Sequence, residues 1–253
     1  MIVIVGTSHD DILYYDKILY NRRTETVFKR FEIAIGTVFN QEVCVVSDLY
    51  SSPLSSAVMT YILDKYYVDL VIGVGKCIGV DKSAKNGDIV ISSRVIDTNV
   101  DLTRVRDVSL GQIPGMNKEY KVQTDIINYL SQSVSKRPYT TSYQAVYLSS
   151  DNLSEETFKM LSTRRSLFGI TNEKIVVDHN SSGLALACSL RDIPYAAIKV
   201  VENRIEQDDD INTYLKVLDK YIDLGKSVVS TIGDIGRNDI LRGGVGSAYK
   251  KIN

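Results

Sequence analysis

Leu70-Val71-Ile72-Gly73-Val74-Gly75-Lys76-Cys77-Ile78-Gly79-Val80-Asp81, resumed by Asn86-Gly87-Asp88-Ile89-Val90-Ile91-Ser92, is the stretch that decides the fold. Residues 70–74 form a short β-branched run, which predicts a buried strand. Gly75 and Gly79 then predict a tight turn, and residues 88–95 predict a second strand. A buried strand that ends in glycine and small polar residues marks where open α/β folds hold ligands. Lys76 sits inside that turn with little structural reason to be there. Its ammonium suits a carboxylate or a phosphate in a cleft.

The same alternation of short β-branched runs with longer amphipathic stretches continues in both directions. Strands are predicted at 2–5, 32–39, 42–47, 145–148, 175–178 and 196–201. Helices are predicted at 53–65, 121–135, 154–163, 182–191 and 210–232. Asn40-Gln41 predicts a hairpin turn, and Ser51-Ser52-Pro53 a capped helix start. This is the α/β class. No internal repeat or linker divides the chain. One domain is expected over 1–232, followed by a flexible Gly- and basic-rich tail over 233–253.

Composition narrows the function. The chain has 253 residues, 44% hydrophobic and 24% charged, which suits one soluble α/β domain. A net charge of −1 with scattered Lys and Arg favours neither nucleic acid nor an anionic membrane. Three cysteines, Cys44, Cys77 and Cys188, lie in apolar runs and read as buried reduced thiols. With two histidines and no Cys-x-x-Cys, no zinc site is expected. The run Met1–Gly6 is too short for a signal peptide and leads into acids, so a cytoplasmic location is expected. No stretch reaches membrane-spanning length.

Three further strand ends carry polar clusters. They are Val5-Gly6-Thr7-Ser8-His9-Asp10-Asp11, Asp178-His179-Asn180-Ser181-Ser182-Gly183, and Val201-Glu202-Asn203-Arg204. Each has a structural reading beside the chemical one. Asp10 and Asp11 suit the first turn of a following helix. Asp178, Asn180 and Ser181 suit helix caps, and His179 suits a satisfied rim position.

Taken in order, these segments resemble the nucleoside phosphorylase and nucleosidase superfamily, closest to the 5′-methylthioadenosine/S-adenosylhomocysteine nucleosidases. The resemblance covers roughly residues 1 to 232. It rests on the 71–92 stretch, on Leu110-Gly111-Gln112-Ile113-Pro114-Gly115, on Ser149-Ser150-Asp151-Asn152-Leu153, on Val176–Gly183, and on Ile193-Pro194-Tyr195-Ala196-Ala197-Ile198-Lys199. It implies a three-layer α/β/α sandwich around a mixed, partly barrel-like sheet, and a homo-oligomer, a dimer or larger. It also implies a purine nucleoside such as methylthioadenosine or S-adenosylhomocysteine, cleaved at its N-glycosidic bond by water, and no cofactor.

The resemblance assigns roles residue by residue, and several positions depart from the pattern. Asp11 stands where an acid activates water, one methylene shorter than the usual Glu. Asn203 stands where an Asp protonates the leaving purine, and an amide cannot deliver that proton. Asn180 replaces the Glu that grips the ribose hydroxyls. Lys76 replaces a small hydroxyl residue near the nucleophile, His179 a Met under the sugar, Leu153 a stacking Phe, and Glu202 a Ser. Ser8, Cys77, Ile78, Asn152, Asp178 and Arg204 complete the expected binding set. Phosphate is a second candidate nucleophile, with Lys76 to hold it, although Asp10 and Asp11 oppose an anion. A Lys76–Asp11 salt bridge is the competing expectation. Altered or weakened hydrolysis of a purine nucleoside is the reading adopted. A catalytically inactive scaffold, repurposed to bind a nucleoside-like ligand, is the alternative.

Overall fold

The computed structural model describes residues 1–81, 83–202 and 211–238. Ten strands form one mixed sheet. They are β1 (Ile2–Gly6), β2 (Tyr20–Val27), β3 (Phe31–Val38), β4 (Gln41–Val46), β5 (Leu70–Gly79), β6 (Ile89–Asp97), β7 (Tyr120–Lys121), β8 (Ser142–Ser149), β9 (Ile175–Asp178) and β10 (Tyr195–Val201). Six α-helices accompany them: α1 (His9–Ile18), α2 (Ser52–Lys65), α3 (Thr124–Ser135), α4 (Glu155–Thr163), α5 (Ser181–Ser189) and α6 (Ile211–Asn238).

The sheet runs β10-β6-β8-β9-β5-β1-β4-β3-β2, and β10 also pairs with β5. That extra ladder closes β5, β9, β8, β6 and β10 into a ring, while β1 to β4 continue as an open wing. β5 serves both parts. Its first half pairs in parallel with β1, and its length pairs in parallel with β10 from Val71↔Tyr195 to Cys77↔Val201. Its last residues pair antiparallel with β9. The expected turn at Gly75–Gly79 is therefore strand. The ladders to β9 and β10 hold it extended. Gly75 has a φ of +125°, a value glycine tolerates without a Cβ penalty, and it lets the strand bend into the ring.

Side chains alternate across the sheet and feed a core on each face. One face packs Val3, Val5, Val71 and Val176 against Val58, Met59 and Ile62 of α2 and Leu184 and Ala187 of α5. The other packs Ile2, Ile4, Ile72 and Ile198 against Ile12 of α1, Leu130 of α3 and Leu224 and Val228 of α6. This is the expected three-layer sandwich. Helices α2 and α5 touch backbone to backbone: a Cβ on Gly183 would lie 2.0 Å from the Ser52 carbonyl oxygen.

Most predicted elements are present, with shifted ends. The hairpin turn is Phe39-Asn40, one residue earlier than expected, and both residues have positive φ. β2 escaped the sequence reading because Tyr20-Asn21-Arg22-Arg23-Thr24-Glu25-Thr26 is almost wholly exposed on the sheet edge and shows no apolar alternation. The two-residue β7 is too short to leave a pattern. α6 passes residue 232 and runs to Asn238, with Gly233 against the Phe39 ring and Gly236 against the Gln41 side chain. Residues 239–253, the rest of the expected tail, lie outside the described residues. Among the described residues no helix is long and apolar enough to cross a membrane.

Candidate active site

The ends of β1, β9 and β10 converge along the second half of β5, and the polar clusters meet there. Asp11 lies in the first turn of α1. Its Oδ2 accepts the Thr7 N–H at 3.0 Å and the Ser8 N–H at 2.8 Å. Ser8 is thus the N-cap residue, and its backbone helps to fix the carboxylate. Gly75 leaves room for that carboxylate, since a Cβ there would stand 2.7 Å from Oδ2. Asp11 is 5% exposed, and its Oδ1 is buried with no hydrogen-bond partner among the described residues. Burial raises its pKa, a shift only partly offset by the Ser8 N–H and the Lys199 charge. A buried acceptor left unpaired costs about 1–3 kcal/mol, so it calls for a water or a ligand.

Behind Asp11 lies a closed polar knot. Lys199 is wholly buried in β10 and donates to Asp178 Oδ2 at 2.6 Å and to Asn180 Oδ1 at 2.8 Å. Asp178 also accepts the Ser181 hydroxyl, which in turn accepts the Tyr195 hydroxyl at 2.9 Å. Burial pushes the Asp178 pKa up, but Lys199 and Ser181 outweigh it and the net shift is downward. Asn180 donates its amide protons to Thr7 Oγ1 at 3.1 Å and to the Leu49 carbonyl at 3.2 Å. His179, between these two, stacks its ring on Tyr50 at 6.5 Å. Burial, then the Lys199 charge, lowers its pKa.

Lys76 faces away from this knot. Its Nζ lies 2.7 Å from Glu202 Oε2 and over the Tyr221 ring of α6, and the Tyr221 hydroxyl donates to the same Glu202 oxygen at 3.3 Å. The expected Lys76–Asp11 bridge gives way to this pair. Lys76 follows Ile72 and Val74 on the face of β5 that α6 covers, so it projects toward α6.

The remaining expected residues are less central. Cys77 buries its thiol against the Val200 carbonyl in the core, and burial raises its pKa. Ile78 is half-buried and paired with Val177. Asn152 spends its side-chain oxygen on the Ser154 N–H before α4, and Leu153 is exposed. Asn203 and Arg204 lie outside the described residues. The sequence reading missed Lys199, Thr7 and Tyr221 as parts of the cluster. Lys199 had a signal: it is the one charge inside the apolar run 196–201.

A cavity of about 620 Å³ flanks α1, lined by His9, Ile12, Ser47, Asp48 and Tyr50 among others. A cavity of about 650 Å³ lies at the start of β10, beside Pro194 and Tyr195. Among the described residues no three His, Cys, Asp or Glu side chains come together in a way that could hold a metal ion.

A sandwich whose sheet curls into a ring, with its polar cluster at the strand ends, defines the nucleoside phosphorylase/nucleosidase fold. A sequence model described as "Phosphorylase superfamily" matches residues 1–232, and the chain belongs to that superfamily. Relatives include the 5′-methylthioadenosine/S-adenosylhomocysteine nucleosidase of Buchnera aphidicola subsp. Acyrthosiphon pisum (strain APS). It is 26% identical over 210 residues, 83% of this chain and 87% of that protein. The enzyme of the same name from Bacillus subtilis (strain 168) is 23% identical over 202 residues, 80% of this chain and 85% of that protein. The crystal structure of the Neisseria meningitidis nucleosidase in complex with methylthio-immucillin-A superposes with a TM-score of 0.80 at 19% identity. It covers 92% of this chain and 98% of that one.

Proposed function

We propose that the protein hydrolyses the N-glycosidic bond of a purine nucleoside of the methylthioadenosine or S-adenosylhomocysteine type. The observation that carries this reading is Asp11: a buried carboxylate, fixed by two backbone N–H groups, with one oxygen unpaired among the described residues and a raised pKa. Such a group is poised to take a proton from water. Water attacks the anomeric carbon as the bond to the base lengthens, and its proton passes to Asp11. The departing base keeps the bonding electrons and is protonated from solvent, since an amide at position 203 has no proton to release.

Water is favoured over phosphate because the ammonium that would hold phosphate is already paired with Glu202. We assign Ser8, Lys76, Ile78, Asn152, Leu153, His179, Asn180 and Glu202 to the walls of the ligand site, with Cys77 and Asp178 buried behind them. A homo-oligomer is also part of the proposal; exposed Tyr50, Val105 and Met116 offer apolar surface for it.

The test is incubation with methylthioadenosine, S-adenosylhomocysteine, adenosine, inosine, guanosine and uridine, with and without phosphate, followed by chromatography. Phosphate-independent release of free base that Asp11→Asn abolishes is the expected result. No release across the panel at high enzyme would refute hydrolysis and leave the binding-protein reading.

A further inference from the structure

Asn180 occupies the position expected to hold the sugar, and three of the four hydrogen bonds its amide can make are already committed. The orientation of its amide is forced by its neighbours. The Leu49 carbonyl can only accept, so the group facing it at 3.2 Å is the NH₂. The Lys199 ammonium can only donate, so the group facing it at 2.8 Å is the oxygen. Thr7 Oγ1 takes the second amide proton at 3.1 Å. Both donors are therefore used, and the oxygen is shared with a cation. The side chain is only 1% exposed.

Asp178, the carboxylate that shares Lys199 with Asn180, is equally closed. Lys199 and the Ser181 hydroxyl hold one of its oxygens, the Ser181 N–H lies 3.4 Å from the other, and the residue is 2% exposed. One ammonium balances one carboxylate, so the knot carries no excess negative charge. A vicinal diol is normally gripped by a carboxylate that accepts from both hydroxyls, and hydrogen bonds to a charged acceptor are the stronger kind.

We infer that the sugar subsite makes no use of the 2′-hydroxyl, so that the protein accepts 2′-deoxynucleosides about as well as ribonucleosides. The inference rests on the nucleoside reading above and deepens it by naming the sugar class. A carboxylate grip on the diol would favour ribose by about 10- to 100-fold. A site built to bond a hydroxyl rejects the analogue that lacks it, because its own polar groups are left unpaired. Here those groups are paired within the protein, and loss of the hydroxyl strands none of them.

The test uses a pair of uncleavable ligands. They are a 5′-methylthio C-nucleoside analogue of adenosine, whose glycosidic bond is carbon–carbon, and its 2′-deoxy form. Calorimetric titration of the full chain should give dissociation constants within about threefold of each other. A ribose preference above about tenfold overturns the inference, as does failure of both ligands to bind. Binding without discrimination sustains it even where no nucleoside is cleaved, so its fate is separable from that of the hydrolytic reading. Asn180→Glu places a carboxylate beside Lys199 and should raise the ribose preference by about tenfold or more. An unchanged ratio in a folded variant would count against the inference.

Discussion

Replacing Lys199 by Met would remove the ammonium from the buried knot while keeping most of its apolar volume. Asp178 and Lys199 are each about 1% exposed along their side chains and 2.6 Å apart. The change leaves a buried carboxylate without its counter-ion and Asn180 Oδ1 without its donor. Breaking a buried pair from one side costs about 3–5 kcal/mol. For a domain of this size that is a fall in Tm of roughly 6–20 °C.

The loss should depend on pH in a definite direction. In the wild type the Asp178 pKa lies below its ordinary value of 3.8, so the stability it contributes is present above that pH. It disappears as the pH falls through the lower, folded value. In the variant, burial, the largest influence on Asp178, is opposed mainly by the Ser181 hydroxyl and should push the pKa above 3.8, so ionised Asp178 becomes a cost that grows as the pH rises. The stability gap between the two proteins should therefore widen from about pH 3 to pH 7. Urea titrations at several pH values would measure it. Combining Lys199→Met with Asp178→Leu should recover most of the loss, because a buried pair replaced as a whole is often near neutral. A gap below about 1 kcal/mol, or one that does not change with pH, would refute the account of this knot.

Other consequences are equally direct. Because burial lifts Asp11 above its ordinary 3.8, the acidic limb of the pH profile of kcat/KM should fall above that pH. Asp11→Asn should lower kcat by about 10²- to 10⁴-fold in a base-release assay. Gly75→Ala must accommodate both a φ of +125° and a Cβ 2.7 Å from the Asp11 carboxylate, so circular dichroism should show a folded but less stable protein, and kcat/KM should drop with it. Gly183→Ala sets a methyl 2.0 Å from the Ser52 carbonyl, and the resulting separation of α2 from α5 should cost about 1–3 kcal/mol in thermal unfolding.

Much of this was legible in the sequence because the buried strands are dense in Val and Ile and are punctuated by Gly, Pro and Asn. Residues 175–178 were placed without error, 88–95 and 196–201 to within two residues at their ends, and 70–74 as only the first half of β5. β2 was illegible for the opposite reason: an exposed edge strand needs no apolar pattern. The run from Gly75 to Gly79 misled because its glycines serve bending and close approach, the same features that mark a turn in isolation. At the site, the residue types were visible but their partners were not. Nothing local in Asn180 says that its amide is consumed by Thr7, Leu49 and Lys199, residues distant in the chain. Lys76 likewise offered two acidic partners, and only the alternation of faces along β5 selects Glu202.

The double pairing of β5 also has a consequence for how the chain is made. The ring closes only when β10, late in the sequence, lies down against a strand laid early. The wing of β1 to β5 joins near neighbours and can assemble while the rest is still being synthesised, whereas the ring waits on long loop closures that are intrinsically slow. Until β10 arrives, Asp178 has no counter-ion and β5 has an open edge. A chain halted before Tyr195 would hold Asp11 in its helix turn yet have neither the knot behind it nor Glu202 to engage Lys76. The candidate site is thus completed last, and its assembly reports that the whole domain has folded.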